Sequence, residues 1–324
     1  MGRGLPNSAA AGHHLVMPDA PTTTWIDQDW LASAQAWIDD QLGSVGLVRA
    51  GDIEQPHVYP WSTVLRIPTD QGVVWFKANS AELRHEPKLV NLLASRRPDL
   101  VPPLLAFDGE HGWMLMADAG VQLRSVVAAE RSLHRWLDVC RLTAELQLDV
   151  ADAVLDMVAL GVPDLRLAAL PHQYDRLVHA LDAHPRYRRA VSHVAALCEQ
   201  LDGFGIPASI QHDDLHDGQV FLRDGRYRLL DWGDACVSHP FFTLSVALEG
   251  VVAWGLDDVE KSVDITPFRD AYLGPYTQRY DGDLVAACHI ALRLGWVCRA
   301  VNGHMPGDEQ QTHRRLSMFL DGHA

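Results

Sequence analysis

The sequence predicts an α+β chain: a first third built on an antiparallel sheet, followed by a longer, mainly helical part. Three observations predict it. Period-two hydrophobic patterning runs from Gly43 to Met116, helical spacing takes over after Gly120, and a short hairpin pattern rich in Asp and His interrupts the helices at 211–235. With 324 residues, 48% of them apolar, the chain can bury one large or two ordinary cores.

The elements follow in order. Thr24 is placed to cap a helix over 25–42, whose apolar positions Trp25, Trp30, Ala34, Ile38 and Leu42 recur at helical spacing. Asp27, three residues on, makes a partial capping box. Residues 51–59, 62–68 and 72–78 read as strands, with turns at Pro60-Trp61 and 69–72. The third strand ends in Lys77, a position that on its own reads as a solvated strand end. A helix over about 81–95 carries Glu82 and Glu86. Pro87 cannot bond the carbonyl at 83, so this helix either begins near Glu86 or is kinked there. Strands at 100–107 and 113–117 complete a sheet of five. Helices are expected at 123–129, 132–147, 174–184 and 188–201, then at 242–254, 259–273, 283–303 and 310–321. The span 151–171 reads as a helical hairpin insert or as an ordinary connector.

The chemistry concentrates in Gln211 to Ala235. Two apolar runs, 220–222 and 227–230, flank Arg223-Asp224-Gly225-Arg226, and an Asp-Gly pair between such runs signals a tight hairpin. That hairpin holds Asp214, Gln219 and Asp231 at one end of a small sheet. Three oxygen-bearing side chains converging on a point suit a hard cation such as Mg²⁺.

His212-x-Asp214-Leu215-x-x-x-Gln219 followed by Leu230-Asp231-Trp232 resembles the catalytic loop and metal-binding Asp of the aminoglycoside phosphotransferase family, a branch of the protein-kinase-like fold. Gln219 stands where most members have Asn, as in the maltokinase-like form of the loop. The resemblance implies a bilobal protein-kinase-like fold, with an N-lobe at 21–117 and a C-lobe at 118–324. It implies a Mg²⁺-dependent transfer from ATP or GTP to a hydroxyl of a small molecule: an aminoglycoside, amino sugar, neutral sugar, macrolide or amino alcohol. Asp214 then orients the acceptor hydroxyl, with His212 beside it as a scaffold of the catalytic loop. Lys77 reaches the α- and β-phosphates, held by Glu86 or, one turn earlier, Glu82. Gln219 and Asp231 hold the metal. The phosphate-covering loop has no glycine, leaving backbone N–H groups or the hydroxyls of Ser62 and Thr63 to meet phosphate. Adenine lies beside Met116, against the backbone of Ala117 and Asp118. Asp234 and Glu249 are the candidates for an amine-bearing acceptor. His239-Pro240 also matches the family's stretch after the metal Asp, with His239 as a structural hydrogen-bonder.

Composition narrows the partners. A net charge of −15 disfavours nucleic-acid phosphate and favours cationic small molecules, although acidity is also the ordinary route to solubility. Five cysteines without a C-x-x-C pair read as buried free thiols in a reducing cytosol. No uninterrupted apolar run approaches ~18 residues, and residues 1–20 read as a flexible leader without a signal-peptide core. A cytoplasmic protein with no membrane partner is expected. Two competing readings remain. His212, Asp214 and His216 offer ligands for a metal-dependent hydrolase. Gln219, Pro87 and the glycine-free loop fit a catalytically weak kinase-like binding protein. Asp213, Asp217 and Asp234 also have the bland reading of turn residues bonding their own backbone.

Overall fold

The computed structural model describes residues 23–181, 184–305, 307 and 309–322, and the leader expected at 1–20 lies outside them. Asp27, not Thr24, caps the first long helix. Its carboxylate accepts the N–H groups of Asp29 and Trp30 at 3.0 and 2.9 Å, two donors that a helix start leaves unpaired. A single turn, α1 (Thr23–Ile26), precedes that cap and α2 (Gln28–Ser44) follows it.

The sheet comprises β1 (Glu54–Val58), β2 (Ser62–Thr69) and β3 (Gly72–Asn79), then, after helix α3 (Glu86–Arg96), β4 (Leu104–Asp108) and β5 (Trp113–Ala117). Its spatial order is β1-β2-β3-β5-β4 with every pair antiparallel. Alternation divides the sheet's residues between two faces. Leu65, Ile67, Val74, Phe76, Ala78, Trp113 and Leu115 form one apolar cluster with Trp25, Ala34, Ile38 and Leu42. The opposite face carries Lys77, whose strand partners are Val64 and Met114. Met114 and Met116 join a second, larger cluster with α3 and the helices that follow.

Pro87 falls in the first turn of α3, where its missing N–H has no intrahelical acceptor to lose. A 3₁₀ turn at Ala81–Leu83 precedes it, so the helix begins at Glu86 rather than bending there.

Gly120 ends the passage out of the sheet. At φ +98°, a Cβ there would sit 2.3 Å from the Leu222 carbonyl oxygen, so only glycine lets the chain pass Leu222 this closely. Then come β6 (Val121–Gln122), α4 (Leu123–Glu130), α5 (Arg135–Asp149), α6 (Val154–Ala159), α7 (Leu170–Ala180), α8 (Pro185–Arg189) and α9 (Val191–Asp202). The span 151–171 is neither a helical hairpin nor bare connector: it holds α6 and a bridge from Asp164 to Val237.

The chemistry-bearing stretch forms β7 (Ser209–Gln211), β8 (Val220–Arg223), β9 (Arg226–Leu229) and β10 (Cys236–Ser238). β7 pairs with β10, while β6, β8 and β9 form a three-stranded sheet. Asp224 and Gly225, at φ 52° and 74°, are the two central residues of the β8–β9 turn. Positive φ at both is what a two-residue type I′ turn requires.

A 3₁₀ turn at Pro240–Thr243 leads into a π-helix, Ser245–Val252, followed by α10 (Thr266–Thr277), α11 (Leu284–Asn302) and α12 (Glu309–Asp321). By length and composition α11 could cross a membrane, yet 61% of its apolar window, of mean hydropathy 1.5, is buried inside this protein. Its Gly295 has the Ser245 hydroxyl where a Cβ would be, so it lies flush against the π-helix. All five cysteines are free and buried.

One buried amide ties these pieces together. Gln147 of α5 donates to the carbonyls of Ile210 (2.9 Å) and Pro240 (3.1 Å) and to the Thr243 hydroxyl (3.2 Å), and accepts from the Tyr272 hydroxyl. It fixes the strand that leads into the Asp- and His-rich loop.

Candidate active site

Lys77 projects from β3 towards the larger lobe and meets two carboxylates from distant parts of the chain. Its Nζ lies 2.9 and 2.7 Å from the two oxygens of Glu86 and 2.6 Å from Asp231 Oδ1, across 154 residues of sequence. Glu86 is wholly buried, and its Oε1 also accepts the Trp232 N–H at 2.9 Å. Glu82 lies exposed in the preceding 3₁₀ turn, so the partner of Lys77 is Glu86. Burial alone would strip the proton from Lys77, but Asp231 and Glu86 together hold the ammonium well above the ordinary lysine range. Burial pushes Glu86 up against the pull of Lys77. Asp231 ends below the ordinary carboxylate value because Lys77 outweighs its own burial.

Asp231 adopts a left-handed backbone, φ 62° and ψ 60°, at the end of β9. Its Oδ2 accepts from Gln219 Nε2 at 2.9 Å. His212 stitches the two loops together: Nε2 donates to the Leu230 carbonyl at 2.7 Å, and Nδ1 faces the Asp214 N–H at 3.4 Å. The ring rests against Trp232. With the side chain buried and both nitrogens turned to backbone groups, His212 joins the two loops, the place expected of a scaffold residue. The same commitment removes it as a metal ligand. Among the described residues no three His, Cys, Asp or Glu side chains group to hold an ion.

Asp214 is engaged on both oxygens. Arg299, arriving from α11, donates to Oδ1 at 2.5 Å, and His216 Nε2 is 3.4 Å from Oδ2. His216 Nδ1 accepts the Gly218 N–H at 2.9 Å, which leaves the proton on Nε2, aimed at Asp214. Burial raises the Asp214 carboxyl, yet Arg299 and His216 override it and hold the group well below the usual carboxylate range.

The other acids divide. Asp213 is buried and takes hydrogen bonds from Gln211 (2.7 Å) and Asn302 (3.1 Å), while Asp217 accepts from Arg124 at 2.9 Å. Both are structural. Asp234 opens to solvent at the mouth of this cluster, where the enclosing protein and the charges of Asp231, Asp214 and Asp213 push its carboxyl up to about 7. Glu249, on the π-helix, accepts the Trp296 indole N–H at 2.8 Å, one turn of α11 before Arg299. His239 accepts the Phe241 N–H and is held near pKa 3 by burial, as suits a structural residue.

The expected phosphate-covering loop needs correction. The register Val64↔Lys77 places Ser62 on the lysine face and Thr63 on the apolar face. The Thr63 hydroxyl donates to the His57 carbonyl (2.7 Å) and accepts from Gln55 (2.9 Å), which leaves it nothing for a phosphate. The Tyr59 N–H is spent on the Ser62 carbonyl at 2.9 Å, and Pro60 has none. His57, paired across the strand with Val64, joins Ser62 on the lysine face, 3.5 Å from its hydroxyl. Sequence reading passed it over because the strand register was not in view. The adenine contacts are similarly narrowed. Met116 is in place on β5 beside Trp75, but the Ala117 N–H donates to the Pro103 carbonyl at 2.9 Å. The Asp118 carbonyl accepts from Arg223 at 2.7 Å.

Arg299 and Asn302 reach the acidic loops from α11, and sequence reading passed both over. The available signal was a pair of arginines, Arg293 and Arg299, inside an otherwise apolar helix, where an unpaired charge is costly.

A strand lysine locked to a helix glutamate above a loop Asp, with a second Asp following a hairpin, defines a kinase-like phosphotransferase fold. The sequence profile of the phosphotransferase enzyme family (APH) matches residues 61–284, and the chain belongs to that family. No curated protein matches it by sequence. Among solved structures it is similar to an ethanolamine kinase from Plasmodium vivax, with 10% identity, TM-score 0.61, and 90% of this chain and 89% of that one covered. It is also similar to the choline kinase LicA from Streptococcus pneumoniae (14%, TM-score 0.60, 90% and 98%). The aminoglycoside phosphotransferase APH(2'')-IIa, solved with streptomycin and ATP, gives 12% identity and TM-score 0.53 over 89% and 98%. At these identities the likeness is one of fold.

Proposed function

We propose that this enzyme transfers the γ-phosphoryl group of ATP or GTP to a hydroxyl of a small, amine-bearing or sugar-like alcohol. The observation that carries the reading is Lys77, held by Glu86 and reaching Asp231 across the cleft. Asp231 and Gln219 stand within one hydrogen bond of each other beside it, and rotating the Gln219 amide by half a turn turns its oxygen to the same point. That donor set fits Mg²⁺, which when bound neutralises triphosphate charge.

Lys77 meets the α- and β-phosphates while Glu86 keeps it in place. Asp214 accepts the hydrogen bond of the acceptor hydroxyl and aims its oxygen at the γ-phosphorus. The bond between that oxygen and the γ-phosphorus forms as the bond to the β–γ bridging oxygen breaks. The nucleoside diphosphate leaves with the electron pair, and the hydroxyl proton passes by way of Asp214 to solvent. A carboxylate held so far below its usual range orients the hydroxyl more than it deprotonates it, which suits a loose phosphoryl transition state. Asp234, at the mouth of the cluster, supports an acceptor with an ammonium group. Ethanolamine, choline and streptomycin, named with the similar structures, are alcohols of that kind.

Thermal unfolding tests the reading, with and without Mg-ATP or Mg-GTP, on wild type, Lys77→Ala and Asp231→Asn. Ligand at a hundred times its dissociation constant adds ~2.7 kcal/mol, roughly 4 °C for a chain of this size. Both variants should lose that gain. Diphosphate release is then measured with ethanolamine, choline, streptomycin and a macrolide as acceptors. No stabilisation of wild type by either nucleotide refutes the proposal. Stabilisation without turnover on any acceptor supports the binding-protein reading instead.

A further inference from the structure

The contact that completes Asp214 comes from outside the region the family profile matches. That match ends at residue 284, where α11 begins. From α11, Arg299 donates to Asp214 Oδ1 at 2.5 Å. Asn302, on the next turn, donates at 3.1 Å to Asp213 and at 2.7 Å to the Asp234 carbonyl. One face of one helix thus grips the catalytic loop at two consecutive residues and the metal loop at a third.

The helix is itself anchored. Gly295 lies against the Ser245 hydroxyl and the Phe242 carbonyl, where any Cβ would collide. At its other end Arg315 of α12 donates to the carbonyls of Arg299 (3.1 Å) and Gly303 (2.9 Å), closing the last turn. The arrangement also answers an electrostatic problem. Asp213, Asp214, Asp231 and Asp234 crowd one cleft, with Lys77 drawn to Asp231 and Arg299 to Asp214. Without a cation on Asp214, like charges on neighbouring loops would turn that side chain away from the reacting position.

We propose that Arg299, with Asn302 beside it, is a positioning residue that holds Asp214 in its acceptor-facing orientation, so that α11 is part of the catalytic apparatus. The inference rests on the phosphotransfer reading given above. A single guanidinium nitrogen makes the contact, not a two-pronged fork, so a lysine can stand in for much of it.

The test uses the full chain and Mg-ATP as probe, with water as the acceptor and ADP release as the signal. Arg299→Gln should bind Mg-ATP within about twofold of wild type while kcat falls by roughly 100-fold, the lower end of what a positioned catalytic carboxylate contributes. Arg299→Lys should recover at least about a tenth of wild-type kcat. Asn302→Ala should lower kcat by a smaller factor, again with nucleotide KM unchanged. Arg293→Gln, on the same helix and paired with His193, should behave as wild type. Wild-type kcat in Arg299→Gln overturns the inference. So does a joint loss of Mg-ATP binding and turnover that Arg299→Lys fails to relieve, because that marks a purely structural role. If wild type neither binds Mg-ATP nor releases ADP, the functional reading itself fails and this inference falls with it.

Discussion

Replacing Lys77 by Met removes the one cation between two carboxylates, and the structure says which of the two suffers. Asp231 keeps 43% of its side chain exposed to the cleft and can be rehydrated there. Glu86 has no exposure at all and cannot. Breaking a buried pair costs about 3–5 kcal/mol, mostly from the charge left behind. With Asp231 relieved by water, the lower end applies, about 3 kcal/mol, or roughly 4 °C in midpoint for a chain of this size. If stranding of Glu86 is the cause, removing its charge should restore stability. In Lys77→Met/Glu86→Gln the amide oxygen can still accept the Trp232 N–H, and no charge is stranded. The double variant should therefore be at least about 1.5 kcal/mol more stable than the sum of the single effects predicts. The assay is chemical denaturation of the four proteins at neutral pH, followed by fluorescence and by circular dichroism. Additivity within about 0.5 kcal/mol would show that Lys77 contributes through packing, and that the buried-charge argument is wrong.

Other outcomes follow from individual sites. Gly120→Ala combines a positive φ with a Cβ 2.3 Å from the Leu222 oxygen, so about 2–4 kcal/mol of stability should be lost; a change under about 0.5 kcal/mol would mean the connector can move off β8. Asp234 has its folded pKa raised to about 7, so its contribution is intact below the unfolded carboxylate value and is lost as pH rises through 7. Asp234→Asn should therefore gain stability relative to wild type between about pH 4 and 7 and hold a constant difference above that, read from denaturation at a series of pH values; a pH-independent difference would show that neither enclosure nor the neighbouring carboxylates raise this carboxyl. Gln219→Asn keeps the ligand type on a shorter stem and should retain turnover, whereas a dead variant would show that reach governs the site.

How much of this could be read from residues alone depended on how local the cause was. The Asp224-Gly225 hairpin was legible because two adjacent residues supply both positive φ angles. Pro87 narrowed α3 to a start near Glu86 or a kink there, and the structure shows the start, since a helix takes proline without cost only in its first turn. The choice of Asp27 over Thr24 as cap was less accessible: either residue type can cap, and the decision rests on which one the chain turns at. Ser62 and Thr63 were indistinguishable until the register with β3 was known, since a shift of one residue exchanges their faces. The divided helix over 185–202 and the π-helix are set by tertiary packing, which overrides local periodicity. Arg299 lay furthest from view. It meets Asp214 across 85 residues, and no local pattern encodes that pairing.

That separation has a consequence for how the enzyme is made. At about 5–20 residues per second, a ribosome adds α11 roughly 4–17 s after the catalytic loop. Until then Asp213 and Asp214 lack the partners that α11 brings. A nascent chain can thus fold its sheet and form its hairpin well before Asp214 is held in place.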